Sequence, residues 1–216
     1  GRIFSLQDAI DTATITGYEI YIERDFEASY PIEVSNGANI VINLNGHDIT
    51  TGNNITNNGT LKIYDTNTEL GKIVTSRTIE NNGSLTIEDI TIRENNSRNN
   101  TISSIANSSL TIKDATIEAQ NGYAIVSEGE LTLEGIYNLK SDHVALNNTG
   151  SELTLESGLI QGLKTNKNIV INNGATIISN SGYDAVTLNG AVNATINGGT
   201  ISAPNNTAIY NSSAGT

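Results

Sequence analysis

With 216 residues, 23 acidic against 11 basic side chains and a net charge of −12, the chain is long enough for one or two ordinary domains and is strongly acidic. That charge repels phosphate backbones and anionic lipid surfaces, which sets nucleic acid and membranes aside as partners, and no apolar run reaches the roughly 18 residues of a membrane-spanning helix. Cys is absent, so neither a disulfide framework nor a cysteine-ligated metal is available, while abundant Asn and Thr with 20 Gly and only 2 Pro suit short strands joined by tight turns.

The first predicted element is a helix over residues 5–13. Ser5 is placed to cap it, Asp8 follows three residues later, and Leu6, Ala9, Ile10 and Ala13 share one face before Gly17 ends the segment. Such a helix suits the open end of a strand array, where it hides apolar side chains and strand edges from water. Residues 19–23 and 31–34 then alternate as strands, with Pro31 at a strand start where its missing N–H does least harm. They form the first coils, over residues 18–50.

From there the chain repeats. Ile42-Asn43-Leu44, Leu61-Lys62-Ile63, Leu85-Thr86-Ile87, Leu110-Thr111-Ile112, Leu131-Thr132-Leu133, Leu153-Thr154-Leu155, Ile169-Val170-Ile171 and Ala194-Thr195-Ile196 follow one another at spacings of 19, 24, 25, 21, 22, 16 and 25 residues. Within each copy the apolar residues fall every second position, on one face of a strand. A second anchor lies upstream of each: Ile55, Ile79, Ile105, Ile125, Leu146, Leu163 and Val186, with Ile209 opening a copy that is not completed. No stretch between rungs can supply a crossover helix, which excludes doubly wound and barrel α/β folds.

What remains is an all-β chain that coils as a parallel β-helix of about eight to nine rungs, each rung stacking its Leu, Ile and Val columns on the next. Residues 51–216 are its repeat rungs and 1–216 a single domain. The incomplete last copy leads to the expectation of a piece of a longer rod, with possible end-to-end self-association at its uncovered strand edges.

The helix of residues 5–13, the alternating strands after it and Leu44-Asn45-Gly46-His47-Asp48-Ile49 together resemble the start of right-handed parallel β-helices of the pectate-lyase-like superfamily. More narrowly, the chain is similar to repeat regions of adhesin-like surface proteins of Gram-positive bacteria. The resemblance implies a right-handed coil and an extracellular, cell-surface setting. It assigns no activity, since that superfamily holds lyases, hydrolases, epimerases, phage tailspikes and adhesins on one architecture.

Function would have to lie on the columns that face outward. Asn57, Asn81, Asn107, Asn148 and Asn211 recur two positions after the second anchor, with Ser127, Thr165 and Leu188 in the other copies, and read as a stacked asparagine ladder at a turn. Thr86, Thr111, Thr132, Thr154 and Thr195 form one threonine column and Thr91, Thr116, Thr176 and Thr200 another; interruptions at Lys62, Val170, Asn138 and Leu159 argue against a flat ice-binding array. Asp65, Asp89 and Asp114 recur in three consecutive copies, and their stacked carboxylates make calcium the one cofactor the residues suggest.

Tyr123, His143 and Tyr183 each precede a second anchor by two or three positions. Sharing a face, they would make an aromatic strip suited to sugar rings, with Asp142 and Asp184 as acceptors for hydroxyls. The rungs are short and carry no insertion long enough to build a catalytic cleft, apart from residues 93–101. The reading is therefore a non-catalytic rod that presents a binding face to glycans or to another surface protein; a carbohydrate-active β-helix enzyme or a tailspike-like segment is the alternative.

Overall fold

In the computed structural model, which describes residues 5–96, 98–179 and 182–212, the chain winds as a parallel β-solenoid of about eight turns behind one helix. A typical coil contains three strands, such as Ser84–Glu88, Thr91–Glu94 and Ile102–Ser104, one in each of three sheets. The second sheet runs unbroken through nine strands from Phe26–Ala28 to Thr200–Ser202, and the third through nine from Ile32–Val34 to Ile209–Asn211. The first sheet runs through six strands to Glu130–Glu134, and a separate three-stranded sheet, Leu153–Leu155, Ile169–Ile171 and Ala194–Ile196, follows it in the coil order. The break comes where the Ser151 hydroxyl accepts the Leu131 N–H at 3.0 Å in place of a strand carbonyl.

Register follows the apolar columns. Leu61, Leu85, Leu110 and Leu131 pair in sequence, as do Ile63, Ile87, Ile112 and Leu133, and all are buried. Two anchors sit elsewhere than expected. Ile40, not Ile42, opens the earliest copy, because Ile40 pairs with Leu61 and Ile42 with Ile63, a slip of one full pleat that keeps the same face inward. In the fourth copy the second anchor is Ile102, paired with Ile79 and Ile125, while Ile105 lies exposed in a lengthened turn. With Ile102 in place, the third-sheet anchors Ile32, Ile55, Ile79, Ile102, Ile125, Leu146, Leu163, Val186 and Ile209 are spaced by 21 to 24 residues, except for 17 between Leu146 and Leu163.

The corners share one device. A buried residue at or just past a strand end turns its side-chain oxygen onto the N–H two residues later: Asn43 to Asn45 (2.9 Å) and Asp65 to Asn67 (2.8 Å) leaving the first sheet, Thr51 to Asn53 (3.0 Å) and Thr75 to Arg77 (3.0 Å) leaving the second, Asn57 to Gly59 (3.2 Å) and Thr165 to Lys167 (3.0 Å) leaving the third. Such turns satisfy a backbone donor that the sheet no longer pairs, which is why Asn, Asp, Ser and Thr recur at these positions. The asparagine ladder is one such column, and it faces inward: Asn57, Asn81 and Asn148 are fully buried. Asn57 Nδ2 donates to Asn81 Oδ1 and Asn81 Nδ2 to Ser104 Oγ, each at 2.9 Å, so Ser104 holds the position expected for Asn107. Beside the ladder, a Cβ on Gly83 would lie 2.1 Å from the Gly59 carbonyl oxygen and one on Gly150 1.8 Å from that of Gly129. Successive coils touch there backbone to backbone.

The helix Leu6–Thr16 closes the N-terminal end. Ser5 caps it, its Oγ accepting the Asp8 N–H at 3.1 Å, and Leu6, Ala9, Ile10 and Ala13 are buried beneath it as the pattern predicts. It runs one turn beyond residue 13, to Gly17 at a φ of 71°. Gln7 protects the strand edge directly: its amide donates to the Glu33 carbonyl at 3.0 Å and accepts the Glu33 N–H at 2.7 Å, as a neighbouring strand would. Among the described residues no helix is long and apolar enough to cross a membrane.

Candidate functional site

The corner between the second and third sheets varies most in length, from Gly162 alone between Leu159–Gln161 and Leu163–Thr165 to the loop of residues 95–101. The aromatic strip stands on this corner. Each residue is positioned by its turn. Ser141 Oγ accepts the His143 N–H at 2.9 Å and donates to the Gly122 carbonyl at 2.6 Å, while Asn100 Oδ1 accepts the Tyr123 N–H at 3.1 Å. The rings of Tyr123 and His143 meet edge to face with centroids 5.9 Å apart, and those of His143 and Tyr183 lie tilted at 4.0 Å.

The second of these contacts needs explaining, because a whole coil separates His143 from Tyr183. The intervening coil is the short one, and its corner is Gly162, in left-handed backbone with φ of 82°. Without a loop there, Tyr183 reaches down across the gap to His143. The structure thus brings together Tyr123, His143 and Tyr183, with Asp142 exposed and Asp184 half-buried at the same corner. Asp184 Oδ1 accepts the Thr207 N–H at 3.3 Å. The notch at Gly162 is absent from the predicted site, although the 16-residue spacing from Leu153 to Ile169 is its signal in the sequence.

The aspartate column also assembles, since Tyr64, Glu88 and Lys113 pair in register and Asp65, Asp89 and Asp114 follow them directly. Its chemistry is that of a corner. Asp65 is buried, with Oδ1 accepting the Asn67 N–H and Oδ2 those of Gly46 (2.9 Å) and Gly71 (2.7 Å). Asp89 and Asp114 adopt left-handed backbone, φ 54° and 48°, which Asp tolerates better than most residues. Asp114 Oδ1 accepts the Ile136 N–H at 2.7 Å and lies where a Cβ on Gly135 would fall. Burial, then the charges of Glu88 and Asp114, push the Asp89 carboxyl up. Lys113 pairs with Glu88, as does Lys62 at 2.5 Å, and the two lysines hold the Glu88 carboxyl low. Among the described residues no group of three His, Asp or Glu side chains is arranged to hold a metal ion.

Two further polar clusters lie toward the N-terminal end. Glu19 accepts the hydroxyls of Tyr21 (2.9 Å) and Tyr64, which pushes Tyr64 up to about 12, and Lys62 Nζ stands 4.7 Å over the Tyr64 ring. Asp25 accepts the Asp48 N–H at 3.0 Å and pairs with His47 Nδ1 at 3.1 Å; the first of these contacts, aided by the second, holds its carboxyl low. The first cluster spans two coil steps, from Glu19 to Tyr64, and the second joins adjacent coils; both border a cleft of about 520 Å³ between the capping helix and the first coil, lined by Leu6, Gln7, Tyr21, Arg24, Phe26 and Tyr30.

Comparison with known proteins gives no match: neither a family model, nor a curated protein, nor a solved structure corresponds to this chain, so its placement rests on its own geometry.

Proposed function

We propose that this chain is a rigid, non-catalytic rod of an extracellular bacterial surface protein, and that Tyr123, His143 and Tyr183, with Asp142 and Asp184 beside them, form its glycan-binding face. The observation that carries the reading is the strip itself. Three rings spread over 61 positions of sequence contact one another at the corner whose loops vary most in length. Aromatic rings stack on the apolar faces of sugars, and neighbouring carboxylates accept their hydroxyls. The adhesin-like kinship and the cell-surface setting come from the resemblance of the repeat pattern, and the stacked parallel sheets are consistent with them.

The test is a glycan array probed with the intact chain, with and without calcium, followed by titration of any hit. Binding should fall by tenfold or more, about 1.4 kcal/mol, in Tyr183→Ala and in His143→Ala, and should persist in Thr111→Ala on the first sheet. A hit equally strong in all three variants would place the binding face elsewhere. Cleavage of pectate, alginate or neutral glycans would replace the rod with an enzyme.

A further inference from the structure

Eight asparagines are each followed directly by glycine: Asn36, Asn45, Asn58, Asn82, Asn121, Asn173, Asn189 and Asn197. The step is chemically labile, because a glycine has no Cβ to hinder its backbone nitrogen from closing on the asparagine side-chain carbon. An N–H that donates within the fold must first give up that bond. Gly46, Gly59 and Gly83 are held in this way, donating to Asp65 Oδ2 (2.9 Å), Asn57 Oδ1 (3.2 Å) and Asn81 Oδ1 (3.3 Å), and the side chains of Asn45, Asn58 and Asn82 are bonded to the preceding coil as well. Asn197 Nδ2 donates to Asn172 Oδ1 and Asn189 Oδ1 accepts the Ser212 hydroxyl, each at 2.8 Å, while Asn173 Oδ1 lies 1.6 Å from where a Cβ on Gly198 would stand. Asn36 and Asn121 differ. Both are exposed, and among the described residues neither their side-chain amides nor the N–H groups of Gly37 and Gly122 have a hydrogen-bond partner. Gly37 stands in a turn closed by the Ala38 N–H on the Ser35 carbonyl at 3.0 Å, with open space where a Cβ would point. Gly122 is held at its carbonyl, by Ser141 Oγ, and at its Cα, by the Asn99 backbone, which leaves its nitrogen free.

We infer that Asn36 and Asn121 are sites of spontaneous deamidation. The glycine nitrogen attacks the asparagine Cγ and forms an N–Cγ bond, its proton passes to solvent, and the side-chain nitrogen takes up a proton and leaves as ammonia, giving a cyclic succinimide. Water opens the ring at either carbonyl, to aspartate or isoaspartate, so the net change is amide plus water to carboxylate plus ammonium. At Asn121 the new charge falls two residues before Tyr123. Isoaspartate there also lengthens the main chain by one atom just ahead of Gly122, whose carbonyl anchors the Ser141 hydroxyl that holds the His143 N–H. The reaction stands without the glycan reading; that it ages the glycan face rests on it.

Incubating the intact chain in mildly alkaline heavy-oxygen water, followed by peptide mapping, tests the reaction. Label should enter at positions 36 and 121 about tenfold faster than at the six other sites, and in denaturant all eight should react at similar rates. Asn121→Gln, whose longer side chain closes the ring far more slowly, should abolish labelling of its peptide and leave position 36 unchanged. Conversion at either position no faster than at Asn82, or the same order of rates in the folded and denatured chain, would overturn the inference. For any glycan found to bind, the aged chain should lose affinity in step with conversion at position 121, and Asn121→Gln should keep it. Conversion with undiminished binding would overturn the link to the glycan face and leave the deamidation sites standing.

Discussion

Two corners of the same coil solve the same problem with opposite tolerances. At the corner from the third sheet to the first, Asn57, Asn81 and Ser104 are buried and bonded to one another, and glycine backbones of neighbouring coils lie too close for a Cβ. At the corner from the second sheet to the third, Thr51, Thr75 and Ser141 make the same turn and Gly122 also lies backbone on backbone over Asn99, but the loop ranges from Gly162 alone to residues 95–101. The difference teaches where a solenoid can vary. Where backbone stacks on backbone, as at Gly83 over Gly59 and Gly122 over Asn99, a change passes to the neighbouring coil, whereas the part of a loop that leaves the stack can lengthen, shorten or display aromatic rings without moving the core.

Substitution should separate the two corners most strongly at Gly83. Gly83→Ala would push a methyl group against the Gly59 carbonyl oxygen and the Asn58–Gly59 backbone, and should cost about 3 kcal/mol or more in chemical denaturation. A loss under about 1 kcal/mol would show the tight corner to be compliant and would erase the contrast. Next comes Asn81→Ala, which strips partners from Asn57 Nδ2, Ser104 Oγ, the Gly83 N–H and the Ser109 carbonyl; about 2 kcal/mol is expected, because buried groups left unpaired bear their full desolvation.

At the variable corner, Glu94 breaks the local rule in an informative way. It stands where Thr75 stands one coil earlier, bonds the Asn96 and Gln120 backbones, and is buried with Oε2 unpartnered. The next coil has Ala119 at this place, which has no oxygen to offer, so the longer Glu94 side chain serves two turns. Burial pushes its carboxyl up, so the folded state holds the proton more tightly than the unfolded state. Stability from this group is therefore present below the ordinary carboxylate range and is lost as pH rises through the raised value. Unfolding midpoints should fall in the parent relative to Glu94→Gln as pH rises above the ordinary carboxylate range. Equal pH profiles would mean that Glu94 ionises without cost.

The smallest effect on stability belongs to Tyr183→Ala, within about 0.5 kcal/mol, because the ring is 39% exposed and rests on His143 outside the stack. That near-neutrality beside a loss of glycan binding would sharpen the division between a corner that builds the coil and one that equips it. A loss above about 2 kcal/mol would instead make the strip part of the core.

Alternation in Leu85-Thr86-Ile87 and its copies determined the strands, their inward faces and their parallel stacking, because a period of two admits only one buried face and no helix was available for crossovers. The helix at Leu6 was legible from its cap and its apolar face. The aromatic strip was legible as three residues at like offsets from their anchors, though its contact across a whole coil was not. Tertiary structure decided the rest. Ile105 and Ile102 are equally apolar, and only pairing with Ile79 and Ile125 selects Ile102. The inward face of the Asn ladder, by contrast, follows from the same period of two, since Asn57 and Asn81 come two residues after the buried Ile55 and Ile79. Whether Asp65 waits for a cation or is saturated by backbone depends on Gly46 and Gly71, which lie 19 and 6 residues away in sequence and within hydrogen-bonding distance only once the coil has formed.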